Sequence, residues 1–289
     1  MFKENPPVQF NENQIEKEDS FTDKILPFQL EYAVNVFEKK IPPPYVIDSG
    51  ISFESCVLNL SDISSKILKE YEKRTGIIPG KETYEEYKKF EKCVILKIKE
   101  SYEKNPATYI SLIPEIIKQE SLKLPEGKKI PIEPSEKERD DIGLIHFNIQ
   151  DGIQGLEKFG LSEEDDFLLL HIYPLTDYKK QNDSLNIFSF NSLKEVAKLI
   201  KNKNLSVKGV VIESWIVDSP IGKRMGFHEF ETRFKNFYHD ETFWGQFYDQ
   251  NGRLKEEEIK NFLETGVPPF KIVGGFMSKK EFLEKYSVI

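Results

Sequence analysis

Three ionisable side chains stand inside runs that are otherwise apolar: His146 in Ile-His-Phe-Asn, His171 in Leu-Leu-Leu-His-Ile-Tyr-Pro, and Glu213 in Val-Val-Ile-Glu-Ser-Trp-Ile-Val-Asp. Burial without partners is costly for such groups, so each requires a hydrogen bond, a charge partner or a chemical role. An imidazole beside a carboxylate is a pairing for general acid/base work, because the carboxylate draws the imidazole pKa toward neutrality. Strand alternation places His171 on a face with Leu169 and Tyr173, and Glu213 on a face with Val211 and Trp215. If those faces coincide, His171 and Glu213 meet as an acid/base pair; otherwise they bond each other or the backbone and merely satisfy a core.

Other constellations are weaker. His146, His171 and Glu213 together match the ligand count of an open zinc or non-haem iron site, but there is no closely spaced histidine pair, so no metal is expected. Asp249-Gln-Asn-Gly252 places its glycine too early for a calcium loop and reads as a turn. Ser214 lies in no nucleophile elbow and reads as a strand residue, and no glycine-rich phosphate cradle is present. Pro220-Ile-Gly-Lys-Arg-Met-Gly-Phe227 is basic and glycine-punctuated, so Lys223 and Arg224 either hold an anionic group or belong to a solvated loop. The aromatic cluster from Phe227 through Phe230, Phe234, Phe237, Tyr238, Phe243, Trp244, Phe247 and Tyr248 is core or the wall of an apolar groove.

The elements that position these residues divide the chain. Twelve of the sixteen prolines precede residue 140, whereas twelve of the sixteen glycines, all four histidines and both tryptophans follow it, which predicts two parts. The reading is a flexible arm over 1–20, a helical domain over 21–140 and a mixed α/β domain over 141–289, with a proline-rich, charged linker from Leu124 to Asp141. In the helical part, one helix runs from a Ser61 cap through Ile63, Ile67 and Tyr71 to Gly76. A second opens on a Thr83–Glu86 capping box, and a third runs from Pro106 with a kink or split at Pro114. In the second part, Ile142–Ile149, Phe167–Tyr173 and Val207–Val217 read as central strands. A Ser192–Glu195 capping box opens a helix between the last two, Phe270–Val273 reads as a further apolar run, and Ser278–Glu281 caps a final helix. The fold class is α/β (α+β).

Composition narrows the function classes. A net charge of −8 with scattered lysine leaves no basic stripe, so nucleic acid is not expected as a partner. The N-terminus has no apolar leader, and no stretch nears the roughly 18 apolar residues of a membrane span, so a cytoplasmic protein without membrane contact is expected. Cys56 and Cys93 each sit in an apolar pattern that suits buried thiols rather than a disulfide.

Taken in order, Ile142-Gly-Leu-Ile-His-Phe147, Leu169-Leu-His-Ile172, Glu213-Ser-Trp-Ile-Val-Asp218 and Phe230-Glu-Thr-Arg-Phe234 resemble the successive signatures of the GNAT-like acyltransferase C-terminal domain that follows a helical partner domain. The resemblance covers residues 142 to 275. It implies transfer from acetyl-CoA or a longer acyl-CoA co-substrate to a small-molecule or peptide amine. Glu213 or His171 would be the base, Trp215 would shape the acyl or pantetheine slot, and Lys223 and Arg224 would lie near phosphate. Such a site requires a groove splayed between strands with His171 or Glu213 at its floor. The alternative is a non-catalytic binding protein with an aromatic recognition surface, which requires a flat aromatic patch and those groups sealed in core.

Overall fold

The computed structural model describes residues 15–42, 51–127, 141–142, 145–172, 185–232, 241–249 and 253–287. It is a mixed α/β structure with a helical N-terminal half. Five helices come first: α1 (Ile15–Phe37), α2 (Phe53–Leu60), α3 (Ile63–Thr75), α4 (Tyr84–Lys104) and α5 (Tyr109–Ser121). Part of the expected arm is therefore helical, since α1 begins at Ile15; residues 1–14 lie outside the described residues, as do 128–140 of the expected linker. The polar start of α1, Ile-Glu-Lys-Glu-Asp, lacks an apolar stripe but consists largely of residues that a helix tolerates well.

Local signals set helix ends unevenly. Gly76 closes α3 in the left-handed conformation at φ 67°, its N–H donating to the Glu72 carbonyl at 2.8 Å. Ser61 is not the cap of α3, as the sequence suggested; Asp62 takes that position and the Ser61 hydroxyl donates back to the Val57 carbonyl at 2.6 Å, closing α2. Thr83 precedes α4, but its hydroxyl accepts from the Gly80 N–H at 2.9 Å and no capping box forms with Glu86. Helix α5 runs unbroken through Pro114.

The cysteines differ from expectation: Cys56 is buried, but Cys93 is on the exposed side of α4. Burial pushes the Cys56 thiol up to about 11. A thiol-reactive dye is therefore expected to label one site quickly in the folded protein, Cys93, and a second only after unfolding; fast labelling at both sites would contradict the burial of Cys56.

The sheet follows: β1 (Asp141–Ile142), β2 (Ile145–Gln150), β3 (Phe167–Ile172), α6 (Leu185–Asn202), β4 (Gly209–Ser214), α7 (Trp215–Asp218), α8 (Pro220–Met225), β5 (His228–Phe230), α9 (Glu241–Trp244), α10 (Glu256–Thr265), β6 (Val273–Ser278) and α11 (Lys279–Tyr286). Six described strands lie in the order β1-β2-β3-β4-β6-β5. The pair β3–β4 is parallel, as the strand-helix-strand reading allowed, and the other pairs are antiparallel.

Three expectations about these elements change. The run Ile142–Ile149 is not one central strand: β1, at the sheet edge, and β2 pair antiparallel, Ile142 opposite Ile145. Ser192 lies inside α6, which begins seven residues earlier at Leu185, so it does not cap the helix. The apolar run Phe270–Val273 precedes the strand, which starts only at Val273. The turn at Asp249 is closed by its own carboxylate, which accepts from the Arg253 N–H at 2.9 Å; residues 250–252 lie outside the described residues.

A shared core joins the two halves. Tyr32 of α1 stacks on Phe262 of α10 with ring centroids 4.7 Å apart, and the Asn35 amide donates to the Leu263 carbonyl at 3.1 Å. Among the described residues no helix is long and apolar enough to cross a membrane.

The expected Ser278–Glu281 capping box forms in full: the Ser278 hydroxyl accepts from the Glu281 N–H while the Glu281 carboxylate accepts from the Ser278 N–H at 3.1 Å. The Ser278 hydroxyl also donates to the Glu281 carboxylate at 2.6 Å; this bond first, then the Ser278 N–H and, less, His228 hold the Glu281 carboxyl below the usual carboxylate range. A depressed folded pKa contributes stability above the ordinary glutamate value and loses it as pH falls through the folded value. Ser278→Ala is expected to cost about 0.5–2 kcal/mol near neutrality and to shrink the loss of melting temperature between about pH 5 and 3. An unchanged acid limb would disprove the linkage.

Candidate functional site

Strand alternation divides the sheet into two chemically different faces. Leu168, Leu170, Val210, Ile212 and Met277 join the main core, on the side where α6 and α11 pack. On the other face, Phe167, Leu169, Val211, Phe230 and Phe276 form a separate small cluster with Ile153 and Leu156. The loop that supplies Ile153 and Leu156 lies close over this cluster: a Cβ on Gly155, whose φ is +87°, would stand 2.6 Å from the Glu231 carbonyl oxygen. Toward the C-terminal ends of β3 and β4 the same face turns polar, carrying His171, Glu213 and, from β2, His146 and Asn148.

The parallel ladder ends where the polar residues begin. β3 and β4 pair from Phe167↔Gly209 to Leu170↔Ile212 and no further, although β3 continues to Ile172 and β4 to Ser214. Beyond Leu170 and Ile212, among the described residues, the ladders of the two strands continue on their outer sides, β3 with β2 and β4 with β6. His171 and Glu213 are thus the first residues past the ladder, on one face, at the C-terminal ends of neighbouring parallel strands, where open α/β sheets place their ligands.

Each of the two has a partner of its own. His171 is exposed, opposite His146 in the β2–β3 register; the two rings stack with centroids 5.7 Å apart, and His171 Nε2 is 3.1 Å from Asn148 Oδ1. Glu213 is half-buried, and its carboxylate accepts a hydrogen bond from the hydroxyl of buried Thr232. On the β6 side Glu213 pairs with Gly274, which in turn pairs with Phe230 of β5. The Phe230 ring lies so closely over Gly274 that a Cβ there would collide with it. The carboxylate is therefore held by Thr232 beside an apolar wall.

Trp215 does not share a strand face with Val211 and Glu213. The Ser214 hydroxyl accepts from the Ile216 N–H at 3.3 Å and starts α7, so β4 ends one residue before Trp215. The indole is 8% exposed and stacks on Phe270 at 5.8 Å, where it supports the segment leading into β6. Ser214 is buried and serves as this cap.

Lys223 and Arg224 lie exposed in the last turn of α8, where cations complement the partial negative charge of a helix end. They are on the helix side of the sheet: Val217 and Phe227, which flank α8, sit over Gly275 beside Ile212. Tyr286 of α11 ties that end of α8 to the first half of α6, donating from its hydroxyl to the Met225 carbonyl at 2.7 Å while its ring stands 6.3 Å from Phe190.

A cleft of about 600 Å³ opens beside Thr232, walled by Phe230, Phe243, Ile272 and Val273, with Lys158 and Lys271 among its charged residues. Phe227, Phe230, Phe243, Trp244, Phe247 and Tyr248 are all buried; Phe234, Phe237 and Tyr238 lie outside the described residues. Among the described residues no three His, Cys, Asp or Glu side chains converge to hold a metal ion. Sequence reasoning gave no role to Thr232 or Asn148. Asn148 follows His146 at the strand period of two, a signal that was available; the approach of Thr232 to Glu213 had none, because it joins separate elements. Neither family models, nor curated proteins, nor solved structures yield a match to this chain.

Proposed function

We propose that this protein transfers an acyl group from an acyl-CoA thioester to an amine, with Glu213 as the base. The observation that carries the reading is the parting of β3 and β4 after Leu170↔Ile212, with a held carboxylate and an exposed imidazole at the opening. A main-chain amide beside this opening would donate to the oxyanion that forms during acyl transfer. Glu213 takes the proton of the amine; the nitrogen attacks the thioester carbonyl, the N–C bond forms, the C–S bond breaks, and the departing thiolate is protonated.

The two sides of the gap suit the two ends of the co-substrate. Its thioester belongs on the Glu213 face and its phosphates on the helix side, where Lys223 and Arg224 lie at the end of α8 near α6. His171, hydrogen-bonded to Asn148, stands beside the opening and orients the acceptor. The same placement disfavours an aromatic recognition surface, since the described aromatic residues from Phe227 to Tyr248 are buried and His171 is exposed.

Thermal unfolding in the presence of acetyl-CoA, and of a longer acyl-CoA, tests the reading. Specific binding raises the melting point by mass action, by about 2.7 kcal/mol of stability at a hundredfold excess over Kd. A concentration-dependent rise that is reduced in Lys223→Ala with Arg224→Ala is expected. No shift at millimolar ligand would remove the CoA-dependent reading.

A further inference from the structure

The sequence holds no closely spaced histidine pair, but the register of the sheet makes one. His146 of β2 and His171 of β3 stand directly opposite each other in the antiparallel ladder, their ring centroids 5.7 Å apart and their planes 29° from parallel. Side chains opposed in this way have Cβ atoms about 4.5–5.5 Å apart, which lets two imidazoles reach one ion. Asn148 follows His146 on the same face of β2, and its Oδ1 is 3.1 Å from His171 Nε2. The amide nitrogen of Asn148 is turned the other way, 3.5 Å from Gln150 Oε1, so the oxygen is the atom presented to the histidines. Metal–nitrogen and metal–oxygen bonds of about 2.0–2.2 Å set neighbouring donors about 2.9–3.4 Å apart, between square and tetrahedral angles. The 3.1 Å separation falls inside that range. His171 is exposed and His146 half-buried, so the pair is open to an ion from solvent and the rings have room to turn from stacked to converging.

We infer that His146, His171 and the Asn148 amide oxygen form a binding site for a divalent transition-metal ion of the zinc, nickel or copper type, with solvent completing the coordination. Imidazole nitrogen suits these ions, whereas magnesium and calcium favour shells made of oxygen alone. The His171 ring stays neutral: the proton that Nε2 donates to Asn148 moves to Nδ1, which leaves the Nε2 lone pair for the ion. Glu213 is engaged by Thr232 and is not part of the set, in keeping with the lack of three converging His, Cys, Asp or Glu side chains among the described residues. Ion binding does not depend on the transferase reading, although a bound ion would take the His171 imidazole away from the acceptor.

Calorimetric titration of the untagged full chain with zinc, nickel and magnesium chlorides tests the site. One zinc or nickel ion per chain is expected to bind at this site, and magnesium is expected not to bind there. His146→Ala and His171→Ala, with folding checked by their melting curves, are each expected to weaken zinc and nickel binding roughly tenfold or more, since removal of a mere supporting residue already costs that much. Asn148→Ala is expected to weaken it less, and His228→Ala, which removes an exposed histidine paired with Glu281 elsewhere on the surface, is expected to leave it unchanged. Failure of the native protein to bind zinc or nickel overturns the assignment without any variant. Full affinity in either His146→Ala or His171→Ala overturns it as well, because the ion then sits elsewhere, the exposed Cys93 thiol included. A shift in melting with acyl-CoA, or its absence, leaves these outcomes as they are, so failure of the ion site and failure of the transferase are read separately.

Discussion

Glu213→Gln is expected to lower acyl transfer to an amine by roughly 10²- to 10⁴-fold in kcat, the range associated with loss of a positioned general base. Glutamine keeps the size of the side chain and can still accept from the Thr232 hydroxyl, so the local structure stays and the proton acceptor is lost. At about 1.36 kcal/mol per factor of ten, this corresponds to about 2.7–5.4 kcal/mol of transition-state stabilisation. Thr232→Val separates placement from chemistry: the carboxylate remains but is no longer held, so a smaller fall is expected, with the acid limb of the pH–rate profile retained. In Glu213→Gln that limb is expected to disappear. Initial rates over a pH series check both, and full activity in Glu213→Gln would remove Glu213 from the mechanism.

Phe262→Ala is expected to cost about 3–5 kcal/mol of stability, the usual penalty for truncating a fully buried phenylalanine. Phe262 has no exposed surface, and its ring lies 4.7 Å from Tyr32, 5.5 Å from Phe243, 5.7 Å from Trp244 and 5.4 Å from Phe247. Alanine leaves a cavity lined by four rings, which are too stiff to collapse into it. For a chain of this size the loss lowers the melting temperature by roughly 6–20 °C. Because Tyr32 belongs to α1 and Trp244 to the segment that walls the cleft, the far-UV signal of the helices and the tryptophan fluorescence are expected to change together. Leu96→Ala, at a position 40% exposed on α4, is the control and is expected to stay within about 0.5 kcal/mol. A Phe262→Ala protein as stable as the control would show that this ring cluster does not hold the fold.

Much of the framework was legible because it depends on contacts a few residues apart. Gly76 and Ser278–Glu281 mark a helix end and a helix start by satisfying orphan backbone groups within one turn. The apolar runs around Val211 and Leu169 announce strands through their own residue types, and the interposed helix allows the parallel pair. Alternation alone assigned His171 and Glu213 to faces, and the structure makes those faces the same one. Where two local signals competed, spacing did not decide between them: Ser61 and Asp62 both resemble caps, and Thr83 had both Glu86 and the Gly80 amide within reach.

The site itself was decided by tertiary structure. Trp215 continues an apolar run, yet the chain turns there because the Ser214 hydroxyl caps a new helix and Phe270 offers the indole a stacking partner from 55 residues away. The contact of Thr232 with Glu213, the closeness of the Phe230 ring to Gly274 and the end of the ladder at Leu170↔Ile212 are all set by how separate elements dock. From its sequence alone, this protein determined which residues could do acid/base work and which elements would carry them, since residue type and period are local properties. Only the packing of strands and loops from distant parts of the chain decided which of those residues share an opening, because register and docking are settled by the summed burial of many side chains.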